Sequence, residues 1–192
     1  MASIPFLSVN YFVGELQIPN LTGSAPAVTP RVNELLWFIK KYEPEFLELL
    51  LGEDLYLEFS AGIAATTPEA KWTTLKNKIY QIDSVNGIYM SPAAAYVYYH
   101  FMRNSQTATT SVGEIKPGKH AAVNVTNTMK MVSAWDDMCA ECMEIWEWLE
   151  EDAQMAVYVD TDGEALFDPY QDNPFEPEIV SGKNYHMNMW NL

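Results

Sequence analysis

The chain has 192 residues, 48% of them hydrophobic, and its 26 acidic and 11 basic groups give a net charge of −15. That length fits one domain with an appended arm, and that much apolar material excludes a disordered chain. The sign of the charge excludes groove-reading DNA recognition, whose affinity comes from neutralising phosphates.

The aromatic content is 13%, with Trp72, Trp135, Trp146 and Trp148 falling in predicted helices. Such rings fill cores and dominate subunit interfaces. The N-terminus, MASIPFLSVNYFVGEL, has no basic leader and no continuous apolar segment, so no signal peptide is expected. No stretch approaches the ~20 apolar residues that cross a bilayer, and a soluble protein is expected. Two cysteines three residues apart make no disulfide framework and suit a reducing site of synthesis.

Residues 1–28 read as an extended N-terminal arm, punctuated by Pro5, Pro19, Gly23 and Pro26. Thr29-Pro30 then supplies a helix start, with Thr as cap and Pro at the first helical position. Val32, Leu35, Leu36 and Ile39 make one apolar stripe of that helix. Glu43-Pro44 predicts a break or restart, because proline disfavours helical geometry in the residue before it. The helical pattern resumes from Glu45 to Leu51 and stops at Gly52, a C-cap residue. A short piece through Leu55, Tyr56 and Phe59 follows, to about Gly62. The proline-marked start recurs at Thr67-Pro68, for a helix to about Ile82, and at Ser91-Pro92, for one to about Asn104. Between them Asn86-Gly87 marks a turn.

Residues 105–125 change character. Thr107, Thr109, Thr110 and Val112 are β-formers, Pro117-Gly118 is a turn signal, and Val123 and Val125 follow, which predicts a β-hairpin or paired loop. The longest helix is expected from Asn127 to Asp152. Its seam is Val132, Trp135, Cys139, Cys142, Trp146 and Leu149, widened by Met131, Met138 and Ile145. Away from the seam lie Asp137, Glu141, Glu144 and Glu151. Like charges four apart cost a few tenths of a kcal/mol per pair. A face that accepts the cost is either a solvated one or one shaped by what it meets. From Asp136 to Glu178 the chain has 15 acidic residues and no Lys or Arg.

Residues 154–192 read as an acidic, proline-containing C-terminal arm, with a short strand from Met155 to Val159 and Pro169, Pro174 and Pro177 beyond it. Its end carries Tyr185, Met187, Met189, Trp190 and Leu192. These apolar groups either fold back onto the chain's own core or form an arm that docks on another subunit. The expected fold is mainly α: a bundle of four to five helices over 29–153, with the β excursion near 105–125 and an extended arm at each end.

Catalytic signals are weak. Cys139-Ala140-Glu141-Cys142 has zinc-like spacing, but no second ligand pair exists and both sulfurs fall on the apolar seam. His100, His120 and His186 stand in three different elements, and the tyrosine-rich surroundings of His100 suit packing. Asp160-Thr161-Asp162-Gly163 opens like a calcium loop, yet the twelfth position is Gln171 where a glutamate is needed. No phosphate loop, nucleophile elbow or zinc-protease motif occurs. No catalytic residue, metal or cofactor is assigned, and the protein is expected not to be an enzyme.

Leu49-Leu50-Leu51-Gly52-Glu53-Asp54-Leu55-Tyr56, the helix Ala93 to Asn104, the Thr-rich loop with Gly113 and the helix carrying Ala134-Trp135 follow in order. Over roughly residues 30–150 this order resembles the small head-to-tail connector or adaptor proteins of tailed phages and prophages of Bacteroides-type bacteria. The resemblance implies a homo-oligomeric ring, commonly of twelve subunits. Such a ring is made in the host cytoplasm, sits in the neck of the virion beneath the portal, and meets portal and tail proteins. DNA would pass through it without specific binding, an acidic lining repelling phosphate. Two rivals draw on the same carboxylates. One is an acidic DNA-mimic inhibitor or regulator of a basic host protein; the other is a carboxylate–metal enzyme.

Overall fold

A computed structural model describes residues 5–19, 21, 28–105, 108–110, 113–115, 128–158 and 175. Among them the helices are α1 Val28–Leu51, α2 Glu53–Ile63, α3 Ala70–Ile79, α4 Pro92–Asn104 and α5 Thr128–Glu151. Two antiparallel hairpins interrupt the series, β1 Gln81–Asp83 with β2 Ile88–Met90, and β3 Ala108–Thr110 with β4 Gly113–Ile115. The fold is mainly α, as the periodicity predicts. No described helix is long and apolar enough to cross a membrane.

Helix α4 lies between α1 and α5. Its sequence is apolar on nearly every side, and Pro92 to Tyr99, Phe101 and Met102 are all buried, so it has to be covered all round. His100 escapes only in part. Its ring stacks on Tyr42 at 4.0 Å and 11°, and burial pushes it down to about 4, so it packs as a neutral ring. On α5 both expected columns turn inward: Val132, Cys139, Cys142, Trp146 and Leu149, with Met131, Met138 and Ile145, are buried. Trp135 is half-buried. Cys139 and Cys142 are buried thiols, and burial raises the Cys142 thiol well above its usual range, as suits core packing.

Helix α1 does not break at Glu43-Pro44; it runs through Pro44 to Leu51. The expected break is overruled by tertiary contacts. Glu43 is 1% exposed, and its Oε1 accepts from the Phe6 and Leu7 amides at 2.9 and 3.1 Å and from the Tyr80 hydroxyl at 2.8 Å. Lys40, whose carbonyl loses its usual i+4 donor at Pro44, is on the exposed side. The buried stripe of this helix is Leu35, Phe38, Ile39, Phe46, Leu47, Leu50 and Leu51; Leu36, expected in it, is exposed. Gly52, with φ +73°, ends α1 and opens α2. The left-handed backbone suits glycine.

The third helix is shorter than the Thr67–Ile82 span expected, starting at Ala70 and ending at Ile79. Tyr80 leaves the helix to reach Glu43, and Ile82 falls in β1, where it is exposed. The Asn86-Gly87 turn is present and closes β1 on β2, with Gly87 at φ +65°. Asp83 organises it, accepting from the Val85 and Asn86 amides at 2.9 and 3.1 Å. In the excursion, β3 and β4 pair with Ala108 opposite Ile115 and Thr110 opposite Gly113. Pro117-Gly118, Val123 and Val125 lie outside the described residues.

The described part of the lead-in is non-helical apart from single 3-10 turns at Val9–Tyr11 and Gly14–Leu16, and Leu7, Tyr11, Phe12, Ile18 and Leu21 are buried. Phe175 is also buried, against Phe46, Tyr96 and Trp146. Gly62, in the last turn of α2, lies under the indole of Trp72, where a β-carbon would collide with the ring. Alanine ordinarily stabilises a helix interior over glycine by about 1 kcal/mol. Here Gly62→Ala should instead destabilise by about 1–3 kcal/mol as Trp72 is displaced, read as a lower urea midpoint.

Candidate subunit interface

The helical period puts Asp137, Glu141, Glu144 and Glu151 on one side of α5. Asp137, Glu144 and Glu151 are exposed, and Glu141 is half-buried. Among the described residues the ion pairs are Arg31–Glu34 and Lys71–Glu69, and none of the four stripe carboxylates has a hydrogen-bond or ion-pair partner. The chief effect on Glu141 is burial, followed by the charges of Asp137 and Glu144, and together they push its carboxyl up to about 7. Its neutral form is therefore favoured far more than that of a solvated glutamate. A cation brought against it would return it to a full carboxylate.

Beside the upper part of this stripe runs a groove of about 790 Å³, formed where α5 faces the Gly14–Leu16 turn, β2 and the start of α4. Strand alternation explains one wall. Tyr89 packs edge-on against Tyr11, with centroids 5.3 Å apart, and its neighbours Ile88 and Met90 project from the other face of the strand. Ile88, Met90, Val13 and Met129 are 46%, 49%, 52% and 76% exposed. All four line the groove, over a floor that includes Ala95, Ala134 and Met138.

Glu15, Lys130, Asp137 and Glu141 are its charged groups. Ser91 lines it too. The Ser91 residue is 4% exposed, its Oγ has no hydrogen-bond partner, and although it is the N-cap residue of α4 its side chain makes no capping bond. A buried hydroxyl in that state costs about 1–3 kcal/mol until something pairs with it.

Of the residues singled out in the sequence, Asp137 and Glu141 thus join the groove, while Glu144 and Glu151 continue the acidic line beyond it. Tyr185, Met187, Met189, Trp190 and Leu192 lie outside the described residues. The groove itself was not read from the sequence. Its walls come from residues 11–16, 88–95 and 129–141, and the wall at β2 belongs to a hairpin that the helical pattern of residues 70–82 obscured. Among the described residues no group of three or more His, Cys, Asp or Glu side chains is placed to hold a metal ion. No family model, curated protein or solved structure matches the chain.

Proposed function

We propose that the chain is a structural subunit of a phage virion, a head-to-tail connector or adaptor that assembles as a ring between portal and tail. The observation that carries this reading is the pairing of an unpartnered acidic stripe with an open apolar groove on the same helix. The groove leaves four large hydrophobic side chains exposed together, a surface that a partner would cover. The stripe offers DNA no counter-charge, so a channel lined by it would let the duplex slide. The resemblance across residues 30–150 supports the same assignment.

An acidic DNA-mimic inhibitor would use the same carboxylates against a basic host protein, but the apolar groove has no part in that role. Light scattering of the purified protein, alone and with the portal of the phage that encodes it, separates the two. The connector reading expects masses near twelve subunits, alone or on the portal. A monomer that ignores the portal and binds a basic protein would replace it with the mimic reading.

A further inference from the structure

Helix α1 packs on α4 through Phe38 and Tyr42 and leaves another side open. Leu36 and Trp37 there are 45% and 57% exposed, and Lys40 and Lys41 beside them are exposed too. Trp37 is the one aromatic ring among the exposed large hydrophobics of the described residues. Its ring is nonetheless held, edge-on to Phe38 at 5.2 Å and with the Lys41 ammonium 5.5 Å from its centroid. A fixed ring loses little freedom on docking, and tryptophan is enriched at the energetic centres of interfaces. Neither lysine is in an ion pair among the described residues.

This face and the groove repeat one spacing with opposite charge. On α1, Glu34, Trp37 and Lys41 fall on one side at steps of three and four. On α5, Lys130, Ala134 and Asp137 do the same at steps of four and three, and all three line the groove. The charged ends are seven residues apart in both, roughly 10 Å along either axis. With the two helices laid parallel, Trp37 enters over Ala134, beside the exposed Met129 and Met90. Lys41 then meets Asp137, and Glu34, which Arg31 holds at 2.8 Å, meets Lys130. The reverse direction would set like charges together. Glu48 and Glu144 follow at the same spacing, but axes crossing at roughly 50° have diverged there by roughly 13 Å, more than a Debye length at about 0.1 M salt. The indole also brings an N–H donor to the wall where the buried Ser91 Oγ has no partner.

We infer that the groove on α5 receives the Trp37–Lys41 face of helix α1 from a second copy of this chain. None of residues 34–41 lines the groove, and α4 stands between α1 and α5, so the two surfaces are separate. Each bound pair therefore leaves one groove and one Trp37 face free for the next molecule. That is a heterologous contact, the type that closes into rings or grows into filaments. Closure into a ring rests on the connector reading above, whereas the match of the two faces does not.

The test is photocrosslinking of the full-length chain with p-benzoylphenylalanine in place of Trp37. Irradiation should give covalent oligomers on a denaturing gel, with mass spectrometry joining position 37 to Met129 or Met90. Asp137→Lys with Glu141→Lys, helicity verified by circular dichroism, should lower the yield about tenfold or more. Adding Lys40→Glu and Lys41→Glu to that chain should restore most of it, because the charges are then exchanged across the same contact. Crosslinks confined to one chain, crosslinks to any other surface, no crosslink at all, or a yield that the second pair of substitutions leaves low would each overturn the inference. Light scattering of the wild type reads the ring separately. Rings without the link to Met129 or Met90 overturn this contact alone, while linked oligomers of no fixed mass support the contact and count against the ring.

Discussion

Trp146→Ala should cost about 3–5 kcal/mol, the loss expected when a large ring is removed from a filled core. Trp146 is 0% exposed, its ring lies near-parallel to Phe175 with centroids 6.2 Å apart, and its Nε1 donates to the Leu50 carbonyl at 2.8 Å. That carbonyl sits in the last turn of α1, where Gly52 ends the helix and the final C=O groups lose their intrahelical donors. One side chain therefore fills the core between α5 and α1 and satisfies a helix end. A domain of this size is stable by about 5–15 kcal/mol, so the variant should melt far below the wild type or fail to fold. Trp146→Phe keeps most of the volume and loses the hydrogen bond, for about 1–3 kcal/mol. Trp37→Ala, at a ring 57% exposed, should change stability by about 0.5 kcal/mol or less. Urea denaturation followed by circular dichroism orders the three, and Trp146→Ala no worse than Trp37→Ala would refute this account of the core.

The importance of Trp146 was legible because a helix writes its buried face at a period of 3.6. The seam residues Cys139, Cys142, Trp146 and Leu149 and the second column Met131, Met138 and Ile145 are all buried. The acidic line from Asp137 to Glu151 is the complement of that pattern. Local chemistry also marked Gly52, Asn86-Gly87 and the start of α4 at Ser91-Pro92, since each depends on neighbours in sequence. What failed to read depends on distant residues. Pro44 looked like a break because sequence does not reveal that Phe6, Leu7 and Tyr80 converge on the preceding glutamate. Ile82 looked helical because Ile79 and Ile82 fit the period, whereas Tyr80 leaves the helix to meet Glu43. The groove escaped for the same reason: Val13, Ile88, Met90 and Met129 carry no shared local signal and become one surface only when three segments fold together.

Glu43→Ala should destabilise by about 2–4 kcal/mol, because it leaves the Phe6 and Leu7 amides and the Tyr80 hydroxyl without their shared acceptor. Glu43→Gln should behave differently, since its side-chain oxygen can still accept from those donors. Burial raises the Glu43 carboxyl above its ordinary 4.5 and outweighs the three hydrogen bonds, which act in the opposite direction. Burial and the neighbouring Glu43 also hold the Tyr80 phenol well above its usual range, so it stays protonated and remains a donor. A carboxyl whose folded value is raised favours the fold fully below the unfolded value and loses that contribution as the pH rises through the folded value. Wild type and Glu43→Gln should therefore be nearest in stability near pH 4, where both side chains are neutral. The glutamine variant should gain on the wild type from above pH 4.5 until the folded-state carboxyl has ionised, because it buries no charge. Urea midpoints for both proteins across pH 4–8 measure the gap. A gap that stays constant would mean that the three hydrogen bonds balance burial, and one that moves in favour of the wild type as the pH rises would mean that they outweigh it and that Glu43 sits in the core as a stabilised carboxylate.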